Sequence, residues 1–124
     1  MKLTKENKYF ILFAALLVLN ACSHISEREM AIGKWRFVEV SIRDTPIFPI
    51  IETDFMDLNA DSTFHYEITE AKKTMDGTWE YREHALVLNY NKPDTTRVFP
   101  IEILSKFDLI FNENEKHFVL KRSQ

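Results

Sequence analysis

A single cysteine, Cys22, leaves this chain without an intrachain disulfide, so its stability must come from packing. Its four histidines, His24, His65, His84 and His117, are scattered, with no pair at a metal-ligating spacing such as His-x-x-x-His, and no metal site is expected. No serine stands in a nucleophile-elbow pattern, and carboxylates such as Asp76, Glu80 and Glu83 fall in turns and on polar strand faces, where they read as solubility. No catalytic residue is assigned, no cofactor is implied, and the chain reads as a non-enzyme. A basic stripe is missing too. Leaving out 1–21, with three lysines and one glutamate, takes 16 basic and 19 acidic residues to 13 and 18, a net charge of −5. Such a domain is a poor nucleic-acid binder and is not drawn electrostatically onto anionic lipid.

What is present begins with an address. Lys2, Lys5 and Lys8 precede an apolar run over 9–19, of signal-peptide length and too short for a membrane-spanning helix of about 20 residues. Leu19, Asn20, Ala21 and Cys22 then resemble a lipobox, with Asn20 its least typical member. That resemblance implies cleavage before Cys22, diacylglycerol on its sulfur and a further acyl chain such as palmitate on its amine. At about 0.8 kcal/mol per buried methylene, several chains make a durable anchor. An ordinary secretory signal with an incidental cysteine is the alternative. The chain thus divides into a signal peptide (1–21), a lipid-anchored tether with a short helix (22–32) and a folded domain (33–124). The expected location is the outer membrane, facing the periplasm; Glu27 and Glu29 leave surface export open.

Ser26 followed by Glu29 makes a capping-box pattern, and one or two helical turns ending before Gly33 are expected to plug the bottom of the folded domain, unless this segment is an extended linker. The chain has two glycines and two tryptophans, and it pairs them twice: Gly33 with Trp35 and Gly77 with Trp79. Each pair marks the start of a strand held against the core. Period-two alternation and turn residues give eight strands: 34–42, 53–58, 63–69, 75–82, 85–91, 95–104, 107–112 and 116–121. The change of apolar parity in 34–42 predicts a bulge near Phe37. Phe99, Ile101 and Ile103 are placed in phase on the sixth strand, and Phe107, Leu109 and Phe111 on the seventh.

Short strands, tight turns and no helix long enough for a crossover exclude a parallel sheet. The expected fold is all-β, an eight-stranded antiparallel meander closed into a barrel, because closure removes exposed edges. A flattened sandwich is the second choice. Gly33, Lys34 and Trp35, the turn 59–62 before Phe64, Gly77, Thr78 and Trp79, and Leu120, Lys121 and Arg122 together resemble the small lipocalin-like lipoproteins of Bacteroidetes-type bacteria. The resemblance implies a barrel floor closed by Gly33, Trp35 and a basic side chain from the last strand, Arg122 or Lys121, over the Trp35 ring. Arg122 as a solvated terminal charge is the alternative. The C-terminal helix of full-length lipocalins is absent, as are the paired Arg and Tyr with which fatty-acid-binding barrels hold a carboxylate.

Function then rests on the concave face. Segment 43–52 carries Ile47, Phe48, Ile50 and Ile51, too apolar for a solvated loop, with Pro46 and Pro49 expected to forbid a regular strand. It reads either as a lid over the barrel mouth or as a loop completing the core. Phe48, Phe64, Tyr66, Trp79, Tyr81, Tyr90, Phe111 and Phe118 are the candidate ligand-binding residues, and Arg97 is the candidate inward cation, placed at the rim. Two functions remain: binding a small apolar or amphipathic molecule in the barrel, or an accessory or inhibitory role in which a filled barrel meets a cell-envelope protein through its outer surface.

Overall fold

Residues 25–123 are described by a computed structural model, and they hold one short helix and nine strands. The expected leader and Cys22 lie outside the described residues. In chain order the elements are α1 (Glu27–Ala31), β1 (Gly33–Ile42), β2 (Thr45–Pro46), β3 (Phe55–Leu58), β4 (Thr63–Ile68), β5 (Lys73–Arg82), β6 (Ala85–Tyr90), β7 (Thr95–Leu104), β8 (Asp108–Glu113) and β9 (Lys116–Arg122). Every pairing is antiparallel. From β3 to β9 each strand pairs with the next, and β1 closes the ring by pairing with β3 on one side and β9 on the other. Closure makes this a barrel and not a sandwich.

Eight strands form the wall, and β2 is an addition at the rim. The turn between β1 and β2 places Arg43 and Asp44 at φ 50° and 65°, the left-handed pair that a two-residue hairpin requires. Pro46 therefore does lie in a strand, contrary to expectation. Its two-residue strand sits at an edge, where a missing N–H breaks no ladder.

Two bulges decide which side chains face inward. The β1–β9 register shifts between Phe37 and Glu39, so Phe37 and Val40 both point to the core and Val38 is left outside. A second shift lies between Ile101 and Ile103 against β8. It overturns the expected in-phase run on β7: Phe99 is buried, while Ile103 is exposed. Phe107 is likewise not inside. It belongs to the β7–β8 turn, where Ser105 Oγ accepts the Asp108 N–H at 3.0 Å, and the ring stands in solvent.

The meander sorts its turns to two ends. Helix α1 and the β3–β4, β5–β6 and β7–β8 turns close one end; the β4–β5, β6–β7 and β8–β9 turns and segment 47–54 surround the other. At the closed end both tryptophans are held alike. The Trp35 Nε1–H donates to the Ala31 carbonyl at 2.8 Å and the Trp79 Nε1–H to the Asn59 carbonyl at 2.9 Å. An arginine covers each ring: Arg122 lies 4.2 Å from the Trp35 centroid and Arg28 4.9 Å from that of Trp79. Lys121 points outward, 3.2 Å from Asp108. Ser26 caps α1 by accepting the Glu29 N–H at 3.2 Å, and Ala31 is fully buried against the floor.

Both glycines stand where a side chain does not fit. A Cβ on Gly77 would lie 1.9 Å from the Asn89 carbonyl oxygen of β6. Gly33, at φ 141°, would place one 2.5 Å from Arg122 Nη1.

Candidate ligand-binding site

Alternation along the strands turns a continuous apolar face toward the barrel axis, and the closed floor makes that interior a cup. Its open end is a concavity of about 500 Å³ when open solvent at the mouth is counted, of which only about 50 Å³ admits the centre of a water-sized molecule. Small-molecule sites usually measure about 300–1,000 Å³. The inner void is therefore small, and a ligand must also use the mouth.

On the β7–β9 side the lining is a cluster of three rings. Phe111 stacks on Phe118 with centroids 4.9 Å apart, and Phe99 meets both edge-on at 5.2 and 5.9 Å. From β4 and β6 come Tyr66 and Tyr90, whose hydroxyls face each other at 3.3 Å. Burial pushes both phenols above the ordinary tyrosine range, and for Tyr90 the hydrogen bond with Tyr66 adds to it. Both stay neutral and can donate to or accept from a ligand.

Segment 47–54 covers this cup. Ile47 and Phe48 line it from above, and Phe48 and Ile50 pack against the core cluster. The segment is pinned by Asp54, which is fully buried. Its Oδ1 accepts the Thr69 N–H and hydroxyl, both at 3.0 Å, and its Oδ2 accepts the Ile51 N–H at 3.0 Å. The Asp54 carbonyl also accepts the Phe37 N–H at 3.1 Å, joining the segment to β1. The two readings of this segment thus coincide: it lids the mouth and completes the core. Sequence reasoning does not single out Asp54, because in the strand expected over 53–58 it reads as one polar residue near the strand start, whereas the observed β3 begins at Phe55.

The expected ligand-binding residues separate into two groups. Phe48, Tyr66, Tyr90, Phe111 and Phe118 line the cup. Phe64, Trp79 and Tyr81 do not. Phe64 packs beneath Tyr66 and Tyr90, at 6.0 and 5.5 Å, and Trp79 belongs to the floor. The Tyr81 hydroxyl meets Glu27 and His84 at the closed end. One face of an alternating strand runs the full height of the barrel, so parity alone does not separate cup from floor. Lining residues not anticipated include Phe37, Val40, Met56, Leu88 and Phe99.

Charged groups ring the mouth. Arg97 stands at the rim, 3.3 Å from the Glu113 carboxylate and 5.7 Å from the Tyr90 centroid. Lys73 and Lys116 complete the lining at that level. Partial burial first, then the charges of Lys116 and Arg97, holds the Lys73 ammonium below the ordinary lysine range. Among the described residues no group of histidines, cysteines and carboxylates is arranged to hold a metal ion.

A closed antiparallel meander with one sealed and one lidded end defines a lipocalin-like barrel. Solved structures agree on this fold. A lipocalin-like protein from Bacteroides uniformis superposes with a TM-score of 0.61 at 13% identity, covering 76% of this chain and 99% of its own. An uncharacterized protein from Bacteroides eggerthii gives 0.60 at 12% identity, covering 74% and 98%. No family model matches the chain, and no curated protein does. At such identity the likeness concerns the fold alone.

Proposed function

We propose that this protein is a lipoprotein, anchored to the outer membrane through Cys22, that binds a small apolar or amphipathic molecule in its barrel without transforming it. The observation that carries the reading is the one-ended apolar cup with a buried hydroxyl pair and a lid of Ile47 and Phe48. Apolar walls with a few convergent polar groups are the usual make-up of a small-molecule site. The anchor rests on the leader and lipobox pattern. It also has a geometric consequence: four residues separate Cys22 from α1, a reach of at most about 18 Å, and α1 sits on the floor. The floor then faces the bilayer and the mouth faces away from it, so ligand exchanges with the aqueous compartment.

A second reading is favoured by one number. With only about 50 Å³ of inner space, the barrel can also be a filled scaffold that meets an envelope partner through its outer surface. Native mass spectrometry of the 23–124 segment, before and after organic extraction, separates the two. A discrete mass removed by extraction supports the carrier. A bare chain in both samples that also takes up no apolar dye supports the scaffold. For the anchor, cells fed labelled palmitate should label the chain, and Cys22→Ala should abolish the label and release the protein from the membrane fraction.

A further inference from the structure

The mouth of the cup has a sign opposite to that of the domain around it. The segment after the leader carries a net charge of −5, yet the side chains that reach the lining at the mouth are Lys73, Arg97 and Lys116 against the single carboxylate of Glu113. The excess is confined to this inner ring. Just outside it the turns carry both signs, Glu70 with Lys72, Lys92 with Asp94, and Arg43 held 2.7 Å from Glu115. Arg97 is in part neutralised by Glu113, whereas among the described residues Lys73 and Lys116 have no carboxylate within ion-pair distance. Clustered like charges over a partly dry cup cost free energy, and an arriving anion relieves that cost. Beneath them the lining is apolar down to the three clustered phenylalanine rings and the neutral hydroxyls of Tyr66 and Tyr90.

Resting on the carrier reading, we propose that the ligand is a single-chain amphiphile with an anionic head. The head lies among Lys73, Arg97 and Lys116, and the tail enters between Phe48 and the Phe99, Phe111 and Phe118 cluster. A cationic or neutral head leaves the two lysines unmatched. The head stays at the mouth because the cations of the floor, Arg122 and Arg28, are committed to Trp35 and Trp79 and to nearby hydrogen-bond acceptors.

The described residues by themselves form the closed barrel and its continuous core, so the 23–124 segment is the part to test. Titrating it with decanoate, decanol and decyltrimethylammonium below their aggregation limits, at neutral pH and low salt, tests the inference. Decanoate should bind at least about tenfold more tightly than either other probe, and added salt should narrow that gap. Lys73→Gln and Lys116→Gln, both at partly exposed positions that the core does not need, should each weaken decanoate several-fold and leave decanol unchanged. Equal binding of decanoate and decanol, or preference for the cationic probe, overturns the head-group inference while the carrier reading stands. No binding of any probe by a folded domain overturns both.

Discussion

The guanidinium of Arg122 lies 4.2 Å from the centroid of the Trp35 ring, and the two residues are also cross-strand neighbours in the pairing that closes the barrel. From there Arg122 donates to the carbonyls of Met30 at 2.5 Å, Ile32 at 2.9 Å and Lys106 at 2.7 Å. One side chain thus ties β9, the end of α1 and the β7–β8 turn over the floor. Arg122→Ala should destabilise the domain by about 2–4 kcal/mol, the range expected for losing a cation–π contact and several charge-assisted hydrogen bonds. Arg122→Lys should recover only part of this, because an ammonium cannot reproduce the planar fork. Urea denaturation of the 23–124 segment measures both.

Gly77→Ala should cost about 3 kcal/mol or more, or prevent folding. The added methyl meets the Asn89 carbonyl oxygen, which is fixed by the β5–β6 ladder and cannot withdraw without breaking it. At Gly33 the nearest atom is the mobile end of Arg122, so there the cost of alanine is backbone strain together with displacement of the guanidinium from Trp35. The fraction of folded protein and the denaturation midpoint distinguish the two variants, with Gly77→Ala the more damaging.

Asp54→Ala should destabilise by about 1–3 kcal/mol, since it removes the buried carboxylate that accepts the partly buried N–H groups of Ile51 and Thr69. The loss falls on the lid. Limited proteolysis should then cut within 47–54 at protease concentrations that leave the parent intact. Asp54→Asn should lie between the two, because one carboxylate oxygen is replaced by a donor that faces another donor.

On the outer wall His65 lies between two carboxylates, Nδ1 2.5 Å from Asp76 and Nε2 3.2 Å from Glu67. The Asp76 hydrogen bond first, and Glu67 after it, raise the imidazole above the ordinary histidine range, against the opposing effect of partial burial. A raised folded-state value favours the charged form in the native state. The resulting stability is full below the unfolded value near 6.5 and is lost as pH rises through the folded value. At this partly exposed site it should amount to less than about 1 kcal/mol. Denaturation of His65→Gln and the parent at pH 5.5 and pH 9 should show the parent's advantage at the lower pH only. An equal difference at both values would mean that the histidine acts by packing.

The strand pattern was readable where one physical rule acted alone. On β4 the alternation of Phe64, Tyr66 and Ile68 with polar neighbours gives inward and outward faces directly, because side chains alternate about the pleat. The same rule failed for Ile103, where a register shift against β8 turned the side chain over, and for Phe107, which a serine-capped turn holds outside. Val87 shows a third departure. Its parity points outward, yet between its cross-strand partners Glu80 and Val98 it is buried.

The candidate site was less legible than the wall. Phe48, Tyr66, Tyr90, Phe111 and Phe118 could be marked as inward aromatics, but their height along the barrel could not, and Phe64, Trp79 and Tyr81 proved to lie below the cup. Lys73 and Lys116 carry no local mark. Each is one lysine at the start of a strand, and they share a mouth with Arg97 because alternate turns of the meander return to the same end.

The sequence by itself determined the antiparallel class and the strand count of the wall, since alternation and turn chemistry are local properties of the chain. It also carries the leader pattern and the Ser26–Glu29 capping box, which left a short helix or an extended linker before Gly33 until the fold showed the helix. Only the tertiary structure decided that the sheet closes through β1 and β9, that Arg122 and Arg28 cover the paired tryptophans, that Asp54 locks the lid, and that three cations crown an acidic barrel. Each of these joins residues far apart in the chain, and such contacts depend on register and closure, which no local pattern encodes.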